Sequence, residues 1–256
     1  MGLTKSVGLC SMKRILLRMK TGPHKNALQS HHIRLVRELI GNFSRKAYDK
    51  TQEQMAKVLD VPYTKFWQIK VETIKDRSLG NLTVEENIVE ISRRLNVKVD
   101  KTQIEKTLVL NYEFTKNSLV PEPEVLEGLA QLKHSSLLLG LITNCNPTVP
   151  MLFPQLPLAQ YIDMAVFSCE ERIKKPHAAI YEIACERLNV KPEECVYVGD
   201  GSSEELTGAA SVGMRSILKR ADLTDVYDPN RSDVENWQGP VIDEIAELCN
   251  IVPELA

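Results

Sequence analysis

Aromatic residues are scarce in this chain. Phe, Trp and Tyr together make up 5% of its 256 residues, so its core must be mostly aliphatic. No apolar run approaches the roughly 20 residues that cross a bilayer, which excludes a helical membrane span. No C-x-x-C pair occurs, and Cys10, Cys145, Cys169, Cys185, Cys195 and Cys249 are scattered. That spacing excludes a disulfide or zinc framework. It suits reduced, mostly buried thiols in a reducing compartment, so a cytoplasmic protein is expected. Neither sign of charge dominates, and a formal net charge of -2 supplies no positive field for broad nucleic-acid binding. The remainder, 43% hydrophobic and 26% charged, is ordinary for a globular protein.

One absence is local. Met1 to His32 holds Lys5, Lys13, Arg14, Arg18, Lys20 and Lys25 but no acid, and the first acidic residue is Glu38. Met12, Ile15, Leu16 and Met19 fall at helical spacing among these cations. Gly22-Pro23 ends any helix they begin. An acid-poor, basic, amphipathic start suits an organelle transit peptide, a membrane-surface helix or a disordered extension. The expectation is a disordered basic extension over residues 1–32. A transit peptide there would move the expected compartment from the cytoplasm to an organelle.

Ile33 to Phe43 reads as a short strand ending at Gly41 or as one more helix. From Ser44 the pattern is helical. Tyr48, Met55, Leu59, Phe66 and Ile69 supply apolar positions, and Pro62 separates two helices. Leu79-Gly80-Asn81 is a turn. Thr83 with Glu86, and Asp100 with Gln103, are capping boxes that open two further helices. Residues 45–118 therefore read as all-helical, with too small a core to stand alone. After Pro121 and Pro123 the character changes. A short helix carries Val125, Leu126, Leu129 and Leu132, and Leu137 to Thr143 is a continuous apolar run, as a strand covered on both faces should be. Ala165 to Ser168, Cys195 to Val198 and Arg215 to Leu218 read as further strands. Pro176 to Leu188 and Glu204 to Val212 read as the helices between them. Strands alternating with helices at this spacing predict an α/β, doubly wound, Rossmann-like parallel sheet, which binds ligands at the carboxyl ends of its strands.

Three of those strand ends carry polar groups. Thr143-Asn144 closes the first run, Lys174-Lys175-Pro176 follows the second, and Gly199-Asp200-Gly201 follows the third, with Glu205 one helical turn beyond. A hydroxyl, an ammonium and two carboxylates on one sheet edge suit a phosphoryl group and a hard cation such as Mg²⁺. Singly, each has a plainer role: Thr143 as a helix cap, Lys175 as a solvated charge, Asp200 and Glu205 as turn and capping acids.

With these residues in place, the chain resembles the haloacid dehalogenase (HAD)-like hydrolase superfamily. Leu141-Ile142-Thr143-Asn144 looks like its second motif. Lys175-Pro176-His177-Ala178-Ala179-Ile180-Tyr181 looks like its third, and Gly199-Asp200 with Glu205 like its acidic fourth. The resemblance implies a HAD-like core over 33–44 and 119–256, with a helical cap over 45–118 inserted into it. It implies Mg²⁺-dependent phosphoryl transfer from a small phosphorylated metabolite. Thr143, Asn144 and Lys175 would hold the phosphate, and Asp200 and Glu205 the metal. Arg172 stands where a glycine is usual, and His177 where an acid is usual. The first motif departs furthest, because no Asp-x-Asp-Gly-Thr stretch exists in this chain. Its nearest counterpart is Glu38-Leu39-Ile40-Gly41-Asn42, which puts Glu38 at the nucleophile position and Ile40 at the acid/base position. Three outcomes stay open: an impaired phosphohydrolase, a non-catalytic phosphate-binding protein, or a product whose first strand has been replaced by unrelated sequence.

Overall fold

A computed structural model describes residues 44–135, 137–221 and 232–254. The basic extension, the ambiguous stretch 33–43 and Glu38 lie outside the described residues.

Ser44 starts the first helix, α1 (Arg45–Val58), by accepting the Ala47 N–H on its side chain. Pro62 precedes α2 (Tyr63–Glu72), and α3 (Ile74–Ser78) runs to a turn at Gly80, whose φ of 68° suits a residue without a Cβ. Both expected capping boxes form. Thr83 and Glu86 bond reciprocally at the head of α4 (Val84–Arg94), and Asp100 and Gln103 do so at the head of α5 (Lys101–Ser118). The apolar faces of α1, α2 and α4 meet in one cluster through Met55, Leu59, Phe66, Ile69, Ile88 and Ile91. Burying each such side chain contributes about 1.5–3 kcal/mol.

Pro123 sits in the first turn of α6 (Pro123–His134), where its missing N–H costs nothing. Then follow β1 (Gly140–Thr143), α7 (Thr148–Leu152), β2 (Met164–Phe167), α8 (Ser168–Glu171), α9 (Ala178–Leu188), β3 (Val196–Gly199), α10 (Glu205–Ser211), β4 (Arg215–Lys219), α11 (Ser232–Glu235), β5 (Val241–Ile242) and α12 (Leu248–Glu254). Among the described residues the strands form two ladders, and every pairing is parallel. Thr143 lies opposite Phe167, Gly199 opposite Leu218, and Lys219 opposite Ile242.

Alternation along the strands sorts their side chains onto two faces. Leu141, Val198 and Ile217 pack with Leu129 and Leu132 of α6. Ile142, Tyr197 and Leu218 pack with Ile180 of α9 and Leu206 of α10. Each cluster draws on both ladders, so helices cover both faces of one shared α/β core, as the doubly wound reading predicts.

The first strand is shorter than the apolar run suggests. The Leu139 N–H goes to the Asp163 carboxylate at 2.7 Å rather than to a neighbouring strand, so regular pairing begins at Gly140. The sequence pattern predicts neither β5 nor the short helices α7, α8, α11 and α12. β5 has two residues, too few to show a period, and α7 contains Pro150, which reads as a breaker. No described helix is long and apolar enough to cross a membrane.

Candidate active site

The carboxyl ends of β1 and β3 carry Thr143, Asn144 and Asp200, while Lys175 lies between α8 and α9, with α8 separating it from the end of β2, and Glu205 opens α10. Thr143 is the last residue of β1 and is fully buried. Asn144 follows it and turns its side chain onto the main chain of Lys175. Its Oδ1 accepts the Lys175 N–H at 2.9 Å, and its Nδ2 donates to the Lys175 carbonyl at 3.4 Å. The end of β1 thus fixes where Lys175 enters the site.

Lys175 reaches inward. Its ammonium donates to Glu205 Oε2 at 3.0 Å, and neither side chain has any exposure. The same oxygen accepts the Tyr197 hydroxyl at 2.8 Å, while Glu205 Oε1 accepts the Gly201 N–H at 3.1 Å. Tyr181 donates to the Glu205 carbonyl at 3.1 Å. The two charges offset each other, and the Glu205 carboxylate takes a hydrogen bond from each of Lys175, Tyr197 and Gly201.

Local backbone geometry makes room for this pair. A Cβ placed on Gly199 would lie 2.6 Å from Glu205 Oε1, so only glycine lets the carboxylate lie against the strand end. Beyond it, Gly201, Ser203 and Glu204 all have positive φ, at 78°, 58° and 50°. Two non-glycine residues in the left-handed region store strain in the turn between Asp200 and Glu205. That turn brings Glu205 back toward the position Asp200 occupies at the end of β3. Asp200 is buried, and its Oδ1 accepts the Ser202 N–H at 3.1 Å.

Asp233 holds the turn from the far side. Its carboxylate accepts the Leu206 N–H at 2.8 Å, the Thr207 N–H at 3.3 Å and the Thr207 hydroxyl. It therefore caps α10 from another helix, α11, and its negative charge suits the N-terminal end of that helix. Nothing local in the sequence marks Asp233, Tyr181 or Tyr197 as partners in this site. Asp233 is 27 positions from Leu206, and no local pattern marks such a distant cap. Tyr197 falls in an apolar strand run and Tyr181 in the third-motif stretch, and neither position marks a hydroxyl aimed at Glu205; both rings pack in the core.

The two departures in the third-motif region have local explanations. Arg172 takes a φ of 55°, the left-handed conformation that a glycine would adopt at lower cost. His177 caps α9, with Nδ1 accepting the Ala179 N–H at 3.2 Å.

The donor set suits a hard cation only in a particular way. Asp200 and Glu205 offer carboxylate oxygens, but no cluster of three or more His, Cys, Asp or Glu able to hold a metal exists among the described residues. Mg²⁺ commonly binds through one or two carboxylates and completes its shell with water and phosphate oxygens, so the two acids fit that ion. Glu205 is also committed to Lys175, Tyr197 and Gly201.

The sequence profile of the haloacid dehalogenase-like hydrolases matches residues 51–219. The glyceraldehyde 3-phosphate phosphatase of Methanopyrus kandleri is 34% identical over 151 residues, covering 58% of this chain and 64% of that protein. The chain thus spans just under two thirds of that relative. Among solved structures, a 2-haloacid dehalogenase from Pseudomonas syringae aligns with a TM-score of 0.58 at 21% identity, over 86% of this chain and 96% of its own. A family enzyme from Bacteroides thetaiotaomicron, in complex with magnesium and inorganic phosphate, aligns with a TM-score of 0.54 at 18% identity, over 73% of this chain and 92% of its own. At such identities the solved structures speak for the fold.

Proposed function

We propose, for a chain that belongs to the haloacid dehalogenase-like hydrolases, that the carboxyl edge of its strands binds the phosphoryl group of a small metabolite together with Mg²⁺. Thr143 and Lys175 would hold phosphate oxygens, Asp200 and Glu205 would hold the metal, and Glu205 also sets the position and charge of Lys175. Asn144 serves the same site by holding the Lys175 main chain. Residues 45–118 act as a helical cap on a core made from 33–44 and 119–256. The observation that carries this reading is the wholly buried Lys175–Glu205 pair, 3.0 Å apart, placed next to the end of β3. An ammonium so oriented is costly to bury without a task. The relative from Methanopyrus kandleri, a phosphatase of a three-carbon sugar phosphate by its name, supports a small phosphorylated metabolite as ligand. The scattered thiols support the cytoplasm as compartment.

Hydrolysis would require a nucleophile, and Glu38 is the candidate. Its carboxylate oxygen would bond to phosphorus as the bond to the leaving oxygen breaks, and water would then cleave the acyl phosphate. When bound, Mg²⁺ supplies positive charge against the phosphoryl oxygens. Glu is one methylene longer than Asp, and a displacement of ~1 Å can cost about a hundredfold in rate. Ile40 cannot protonate a leaving group, which forfeits roughly 10²–10⁴. Hydrolysis of an aryl phosphate is therefore expected to be weak, Mg²⁺-dependent and increased by Glu38→Asp. Strong turnover that survives Glu38→Ala would remove Glu38 from the mechanism. Ile40 favours a second reading, a phosphate-binding protein without turnover. In that case phosphate still binds and Glu38→Asp restores nothing.

A further inference from the structure

Two pairs of buried cysteines lie with their sulfurs 3.7 Å apart, Cys145 with Cys169 and Cys185 with Cys195. They differ in setting. Cys185 and Cys195 lie in the interior cluster between α9 and β3. Cys145 and Cys169 lie at the carboxyl ends of β1 and β2, two residues after Thr143 and directly after Ser168. The Cys145 N–H donates to Ser168 Oγ at 2.9 Å, and that hydroxyl donates to the Ser78 carbonyl at 2.7 Å. Gly80, in the turn after α3, packs so tightly on the Cys169 carbonyl that a Cβ there would collide with it. This dithiol therefore sits where the helical segment docks and where the Thr143-Asn144 loop begins.

We propose that Cys145 and Cys169 form a peroxide-oxidisable dithiol whose disulfide shifts the Thr143-Asn144 loop and the docked turn at Ser78–Gly80. The effect on phosphate binding rests on the phosphoryl-site reading above; the oxidation does not. Cys169 is the sulfur that reacts first. It keeps 8% exposure, whereas Cys145 has none. Its hydrogen bond with Cys145 lowers its pKa below the ordinary thiol value, against the opposing effects of burial and Glu170, and a thiolate is the reactive form. The Cys169 thiolate attacks one peroxide oxygen, the O–O bond breaks, and the departing hydroxide takes up the proton lost by the Cys169 thiol and leaves as water, giving a sulfenic acid. The Cys145 sulfur then attacks that sulfur, and the second oxygen leaves as water with the remaining proton. Two thiols are oxidised and one peroxide is reduced to two waters. Closing the sulfurs from 3.7 Å to about 2.05 Å must pull on Cys145, whose neighbour Asn144 holds Lys175.

The test treats the reduced full chain with hydrogen peroxide, blocks remaining thiols, and maps disulfides by peptide mass spectrometry, with hydrogen exchange followed in parallel. The expected result is a Cys145–Cys169 disulfide forming several-fold faster than Cys185–Cys195, with altered exchange over 143–146 and 78–80. Dithiothreitol should reverse both changes, and Cys169→Ser should abolish both. In a third arm, the melting-temperature rise caused by inorganic phosphate with Mg²⁺ should fall on oxidation and return on reduction. A map showing only Cys185–Cys195, over-oxidised Cys169 without a disulfide, or a Cys145–Cys169 bond with unchanged exchange would overturn the proposal. If the reduced protein shows no phosphate response at all, it is the phosphoryl-site reading that fails, and the map and exchange still decide the dithiol.

Discussion

The Lys175 ammonium and the Glu205 carboxylate meet at 3.0 Å in a site that admits no solvent to either side chain. Removing one partner strands the other charge in the interior, at a cost of about 3–5 kcal/mol. Glu205→Gln should therefore lower stability by that order, as read by urea unfolding. A Lys175→Met, Glu205→Leu double variant should recover much of the loss yet show no phosphate-induced rise in melting temperature. Stability that drops as far in the double variant as in the single one would mean the pair acts through packing and not through charge.

Asp233 fastens the Asp200–Glu205 turn by capping α10. Asp233→Ala should cost about 0.5–2 kcal/mol and weaken the Mg²⁺ response, while Asp233→Asn, which keeps an acceptor, should lose less of both. Equal loss in the two variants would assign the residue a packing role only.

Lys70 in α2 is buried with its amine 3.8 Å from Met55 Sδ and 5.5 Å from the centre of the Phe66 ring. Burial, and secondarily the Arg77 charge, hold its pKa well below the ordinary lysine value. The unfolded chain keeps this proton up to about pH 10.4, so between the two values the unfolded state binds more protons and stability rises with pH. Lys70→Met should raise stability by about 1–3 kcal/mol at neutral pH, and the gain should shrink as pH approaches about 10. Urea unfolding at neutral and alkaline pH reads both effects. A variant less stable than wild type at pH 7 contradicts this account.

The parts of this molecule fixed by short-range rules were legible in the sequence. Thr83 with Glu86 and Asp100 with Gln103 cap the helices they were read to cap. The apolar run at Leu141-Ile142 is buried on both faces because each neighbour serves a different cluster. Thr143 and Asp200 at strand ends, and Lys175 and Glu205 in the links that follow, could be picked out because strand-to-helix turns concentrate polar groups at one edge. What the sequence did not reveal depends on contacts between distant segments. The Asn144 bonds to the Lys175 main chain, the two tyrosine hydroxyls on Glu205 and the Asp233 cap have no periodic signature. The ion pair itself is hidden for the same reason, since the sequence makes Lys175 a phosphate ligand and Glu205 a metal ligand and does not pair them with each other.

The most direct test of the central claim is the melting temperature of wild type and Asp200→Asn, each with and without inorganic phosphate plus Mg²⁺. Ligand at a hundredfold excess over Kd stabilises a folded protein by about 2.7 kcal/mol, worth roughly 2–4 °C per kcal/mol at this size. The account predicts that rise in wild type and its loss in Asp200→Asn, which keeps the shape and removes the charge. A wild type indifferent to phosphate and Mg²⁺, or an Asp200→Asn variant that responds as wild type does, would contradict it.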